Sequence, residues 1–390
     1  MFFNLEHGVD KRFPNFYYLG KLVLNTDNGW QKTIVGDSVF IFKGYADDYS
    51  IHYVIDNLTT VHTGNFCIVE YNKSSQLIHF HTDKWRQFTV FGNEGKSLSN
   101  FYRQNNPIWA DSNVTVDQNL EFKLTFGDLV GDIPAVSLSY SEVLDKTYST
   151  IYTRVKNFIK HNDLPIKVFI SGGIDSALVY SFIEKCTYNY EHIFSNEIQW
   201  DYFWVTNRTH LQENFWGYNQ IHHYLEPCVL TSGAPGDEFW FRNPKTTDIW
   251  LSWHGIDTSS IFTNDVRYVQ KPYWEKNRKK LEKDAEYQSL KEELVASGKK
   301  TMLAYLYNNV LNDSQHWHLG NTLTFTPLRD FETFKNLSLL DPEELIPQIN
   351  CAQFSIDCIE KNNPAIVEYL SDVKNVSECY ANIWKLMTMN

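Results

Sequence analysis

The chain has 390 residues, with 35 Lys and Arg against 47 Asp and Glu, a net charge of −12. That length allows two or three domains with real cores, and the acidic balance argues against a nucleic-acid polymer as the main partner. No run approaches the roughly 18 apolar residues of a membrane span, and the start, Met1 to His7, lacks the basic and apolar regions of a signal peptide, so a cytoplasmic protein without a membrane partner is expected.

The first part of the chain reads as strands. Residues 34–42, 65–71, 77–81 and 87–91 are aromatic and β-branched runs, separated by Gly, Asn, Asp and Ser. Asp132-Ile133-Pro134 reads as a linker between a β-rich domain over 1–135 and a second domain over 136–390. Residues 140–161 then predict a helix, with an apolar stripe of Val143, Leu144, Tyr148, Ile151, Val155 and Ile159. A strand over 167–170, a helix over 174–186, a strand over 192–198 and a helix–strand unit over 211–230 follow. Such alternation predicts α/β architecture, a parallel sheet with helices on both faces. Residues 274–300 are charge-dense, with Glu and Lys at i, i+4 spacing, and predict an exposed helix. Its plain reading is a solvated face; the stretch from Glu282 to Ala296 as a homodimer or partner surface is left open. The six cysteines, at 67, 186, 228, 351, 358 and 379, show no C-x-x-C pair and no His at zinc spacing. Buried free thiols are expected.

The chemistry concentrates at Lys167-Val168-Phe169-Ile170-Ser171-Gly172-Gly173-Ile174-Asp175-Ser176. A strand breaks into Ser-Gly-Gly, and a helix starts with Asp and Ser in its first turn. Two glycines let an anion approach the backbone, at the positive end of a helix dipole. Asp175 suits such a site only if a Mg²⁺ lies between it and the phosphates. Walker A is excluded, because no Gly-Lys-Ser/Thr follows the glycines. The segment resembles the pyrophosphate loop of the PP-loop ATP pyrophosphatases, which cleave ATP to AMP and pyrophosphate. That resemblance implies a pyrophosphate held by Ser171, Gly172, Gly173, Asp175 and Ser176.

A second strand–loop–acid run, Val229-Leu230-Thr231-Ser232-Gly233-Ala234-Pro235-Gly236-Asp237-Glu238, is expected beside the first, since open α/β sheets bind ligands beyond the carboxyl ends of their strands. Asp175 and Asp237 would then share one Mg²⁺ on the triphosphate, with phosphates and waters as the other ligands. Read alone, Asp237-Glu238 is also an ordinary helix start. The run resembles the Gly-x-Gly-(Ser/Ala)-Asp-Glu loop of the asparagine synthetase and β-lactam synthetase family, with Pro235 and Gly236 in place of Gly and a small residue; Gly233 and Gly236 would line the nucleotide. Phe325-Thr326-Pro327-Leu328-Arg329-Asp330 resembles that family's Arg-Val-Pro-Phe-Leu-Asp acceptor segment, sharing Pro327 and Asp330, with Phe325 replacing its Arg and Leu323 the acidic residue before it. The substrate expected is therefore not aspartate read in the family's usual way. The resemblance also implies a late lysine stabilising charge on the phosphates, with Lys374 the first choice and Lys335 the second.

Towards the amino terminus, Gly64-Asn65-Phe66-Cys67-Ile68-Val69 and the run from Asp83 to Phe91 resemble strands of the family's class II glutaminase domain, implying an Ntn-type scaffold. Those glutaminases use an amino-terminal cysteine as nucleophile, whereas position 2 is Phe. A degenerate, inactive glutaminase-like half is expected. The function implied is an ATP-dependent, Mg²⁺-using ligase that adenylates a small-molecule carboxylate for attack by ammonia or an amine. Its rivals are a catalytically silent scaffold and a PP-loop enzyme adenylating a nucleobase or tRNA. His316-Trp317-His318 invites a metal reading but has no third ligand nearby, and core or pocket histidines are the plainer one.

Overall fold

The computed structural model describes residues 3–60, 62–83, 90–93, 96–99, 106–108, 112–126, 137–170, 174–194, 226–231, 233, 244–256, 279–303, 305–306, 322–341, 344 and 352–371. Among the described residues the chain is mixed α/β, with two six-stranded antiparallel sheets and one four-stranded parallel sheet.

The first part builds both antiparallel sheets. Strands β1 (Phe3–Glu6), β2 (Asn15–Leu19), β3 (Leu22–Thr26), β4 (Gln31–Val35) and β5 (Ser38–Ala46) precede helix α1 (Ile51–Asp56). After it come β6 (Gly64–Asn72), β7 (Ile78–Thr82), β8 (Val90–Asn93), β9 (Ser97–Ser99), β10 (Asn106–Ile108), β11 (Ser112–Val116) and β12 (Phe122–Phe126). One sheet runs β10-β8-β9-β1-β3-β2 and the other β12-β11-β7-β6-β5-β4. Successive side chains of a strand point to opposite faces, and this decides the packing. Phe3, Leu5, Leu22 and Leu24 of the first sheet share a core with Val39, Ile41, Cys67, Val69 and Phe80 of the second. Phe3 stacks on Phe80 with ring centroids 5.5 Å apart. The alternate residues Phe40, Phe42, Phe66 and Ile68 meet Val54 and Ile55 of α1 on the other face.

Residues 34–42 are not one strand but a hairpin, with Val35 opposite Ser38. Gly36, at φ +57°, takes the first central position of the two-residue turn, where a positive φ matches the twist of the flanking strands. The strand expected over 87–91 begins at Val90 among the described residues.

Helix α2 (Tyr140–His161) opens the second part with a capping box: Ser139 Oγ accepts from the Glu142 N–H and Glu142 Oε2 accepts from the Ser139 N–H. Strand β13 (Ile166–Ile170), helix α3 (Ile174–Cys186) and strands β14 (Glu191–Phe194) and β15 (Val229–Thr231) follow. Then come α4 (Pro244–Trp253), α5 (Ala285–Ala296), β16 (Leu323–Phe325), α6 (Phe331–Leu337), α7 (Gln353–Asn362) and α8 (Pro364–Ser371). Ile174 and the unbroken run from Ser176 to Ile183 of α3 are buried, with Asp175 half-buried between them, as expected of a helix largely surrounded by core. Its Leu178, Phe182 and Ile183 share one core with Val155 and Phe158 of α2, Val168 and Ile170 of β13 and Phe354 of α7. Helix α5 buries Tyr287 and Leu294 and is otherwise largely exposed, in keeping with its charge pattern. No described helix is long and apolar enough to cross a membrane. Cys67, Cys228 and Cys358 are buried and Cys186 is half-buried, and none of the four is in a disulfide; Cys351 and Cys379, like the 132–134 linker, lie outside the described residues.

Candidate functional site

The parallel sheet has the order β14-β13-β15-β16. Ile166, Lys167 and Val168 pair with Val229, Leu230 and Thr231, which in turn pair with Leu323, Thr324 and Phe325. All these strands therefore end on one edge. The chain moves from β13 to β14 on one flank, then returns to place β15 on the other. The direction of winding thus reverses between β13 and β15, the position at which open α/β sheets form ligand crevices. Both glycine-containing motifs leave from these two strands.

The motifs touch through backbone. A Cβ built on Gly233 would stand 2.3 Å from the carbonyl carbon of Asp175, 2.4 Å from its oxygen and 2.6 Å from the Ser176 nitrogen. Only a residue without a side chain lets the β15 loop lie against the first turn of α3. Asp175 supplies the acidic group of that turn, and Ser176 is buried beneath it. Of the expected nucleotide and metal residues, the structure thus brings together Asp175, Ser176 and Gly233. Ser171, Gly172, Gly173, Gly236 and Asp237 lie outside the described residues, as do Lys374, His316 and His318.

Lys335 lies on α6, with its ammonium 3.9 Å from the carboxylate of Glu332 on the same helix. Asp330 caps that helix, accepting hydrogen bonds from the Thr333 N–H at 2.8 Å and its hydroxyl at 2.9 Å. Between β16 and α6, the 326–330 segment runs over a buried cation, Arg154 of α2. Arg154 Nη1 donates to the carbonyls of Thr326, Pro327 and Arg329 at 3.4, 3.2 and 2.7 Å. Its Nε lies 3.0 Å from Asp47 Oδ2, just beyond β5. Burial disfavours the guanidinium charge, but Asp47, with Tyr45 and Asp330, outweighs it and raises the Arg154 pKa above its ordinary value. Burial also pushes the Asp47 carboxyl up, against the pull of Arg154.

Sequence reasoning missed Arg154, although a signal was there. Thr147, Ile151, Arg154 and Phe158 are all buried on α2 at helical spacing, so a charged residue occupied a core position and required a partner.

The fit to metal-bound phosphate can be judged from these groups. A helix start with an acid in its first turn, against which Gly233 packs backbone to backbone, suits an anion bridged by a divalent cation. Among the described residues no three His, Cys, Asp or Glu side chains gather into a metal cluster, so such an ion would draw most of its ligands from phosphates and water.

Neither the models of protein families nor the curated proteins compared with this chain match it.

Proposed function

We propose that the chain is an ATP-dependent, AMP-forming amide ligase, with a PP-loop synthetase domain over 136–390 preceded by a degenerate Ntn-type glutaminase-like domain. A substrate carboxylate oxygen attacks the α-phosphorus of ATP, and the bond to pyrophosphate breaks. The amine or ammonia nitrogen then attacks the acyl carbon. AMP leaves with the electron pair of the C–O bond, and the nitrogen loses a proton.

The observation that carries this reading is the contact of Gly233 with the Asp175–Ser176 backbone at the reversal point of the sheet. Ser171, Gly172, Gly173, Asp175 and Ser176 are assigned to the pyrophosphate, Gly233 and Gly236 to the nucleotide cradle, and Asp175 with Asp237 to Mg²⁺. When bound, the ion supplies charge neutralisation on the phosphates. The protein contributes positioning and fixed dipoles, the main sources of catalysis in phosphoryl chemistry. A glutaminase step within the chain is not part of the proposal. Cys67 is fully buried within the sandwich core, where its sulfur is closed off from a substrate amide.

The test is nucleotide turnover with Mg·ATP, a pool of carboxylate metabolites and an ammonium salt. AMP and pyrophosphate are expected from the native protein and lost in Asp175→Ala. Absence of both AMP formation and ATP binding in the native protein would overturn the reading in favour of a silent scaffold.

A further inference from the structure

We propose that Arg154 is a positioning residue, through which the amino-terminal sandwich holds the 326–330 acceptor segment in the shape the ligase reaction needs. Its role in the reaction rests on the ligase reading; its role in the geometry does not.

Three carbonyls of one short turn converge on a single guanidinium nitrogen. Within the turn the Thr326 carbonyl also accepts from the Arg329 N–H at 3.1 Å, and buried carbonyls must be paired. A planar guanidinium with five donors can serve a turn on one edge and a carboxylate on the other. The Arg154 guanidinium carbon also lies 5.8 Å from the centre of the Phe325 ring, one residue before the turn. A cation wholly removed from water needs a counter-charge. Asp47 provides it from the other half of the molecule.

Neighbouring contacts fix the same junction. Tyr45 of β5 packs edge-on against Phe158 and Phe325 at 4.8 and 5.5 Å, and those two rings stack at 3.9 Å. Asn157, on α2, donates to Asp48. The end of β5 thus reaches the 326–330 turn through Arg154, and a displacement of Asp47 is transmitted to the acceptor side of the crevice.

Hydrogen exchange on the full chain tests this without requiring turnover. The Arg329 N–H bonds to the Thr326 carbonyl at 3.1 Å and the Thr333 N–H to Asp330, so both amides report on the segment. In Asp47→Asn and in Arg154→Lys, exchange at these two amides should quicken at least tenfold more than at the amides of α3, while the affinity for ATP stays at its native value. With an acceptor in hand, KM for that acceptor should rise while KM for ATP does not. Arg154→Lys keeps the charge opposite Asp47 and carries the test if Asp47→Asn does not fold. Native exchange at Arg329 and Thr333 in the folded variants would overturn the proposal, as would equal acceleration across β5, β6 and α3, the mark of general destabilisation. If the native protein makes no AMP but exchange responds as expected, the ligase reading fails and the positioning stands. AMP formation with unmoved exchange means the reverse.

Discussion

Gly233→Ala isolates the contact between the two loops. The folded-state effect of alanine there is set by where the added methyl lands. That methyl would stand 2.3 Å from the Asp175 carbonyl carbon, where ordinary contact begins near 3.4 Å. The obstructing atoms are backbone, at the start of a helix whose residues from Ser176 to Ile183 are all buried, so the loop or the first turn of α3 must move by about an ångström. Overpacking of this kind costs about 1–3 kcal/mol, and a misplacement of about 1 Å at a reacting centre costs about a hundredfold in rate. Urea unfolding should show a stability loss of that size, and AMP formation should fall about a hundredfold. Gly8→Ala is the control, since nothing lies within 4 Å of a Cβ at that position, and should stay within about 0.5 kcal/mol of native. Native stability and native ATP affinity in Gly233→Ala would refute the packing of the two loops.

Two further outcomes follow from the hydrogen bonding. Asp330→Ala should destabilise the fold by about 0.5–2 kcal/mol through loss of the α6 cap, while Asp330→Asn, an equally good capping residue, should recover most of it in the same unfolding assay. The His81 hydrogen bond, despite opposing burial and with help from the Ser38 hydroxyl, holds the Glu70 carboxyl below its ordinary value of 4.5. A depressed folded pKa contributes stability that is present above the unfolded value and lost as pH falls through the folded one. Stability measured from pH 6 down to 3 should therefore fall less steeply in Glu70→Gln than in the native protein.

What the sequence made legible was local. The bounds expected for α2 and α3 agree with those observed, because each has an unbroken apolar period; Ser139 and Glu142 also close a capping box at the start of α2. The alternation of strand and helix after residue 160 implied the parallel sheet. The 34–42 hairpin was missed because apolar runs flank Gly36-Asp37 on both sides, and a two-residue turn barely interrupts such a pattern. The order of strands in the sheet, and hence the reversal between β13 and β15, depends on pairings far apart in sequence. So does the Asp47–Arg154 pair, whose members are separated by a sheet hairpin, a helix and most of the sandwich. Periodicity on α2 marks Arg154 as misplaced for a surface cation, but only the fold identifies its partner.

That pair bears on why the first half of the chain persists beside a site it does not enter through any described motif. A buried ion pair contributes little net stability, because desolvation offsets its attraction, yet removing one partner is severe, about 3–5 kcal/mol. Stability alone would therefore be served as well by two apolar residues of similar volume. Apolar side chains, however, could not satisfy the Thr326, Pro327 and Arg329 carbonyls that Arg154 holds. The Tyr45 ring lies within the core of the parallel-sheet half rather than that of its own sandwich. The sandwich is thus part of the wall behind the acceptor turn. Detaching it would remove the Asp47 counter-charge and leave Arg154 a buried cation without it, behind the turn whose carbonyls it holds.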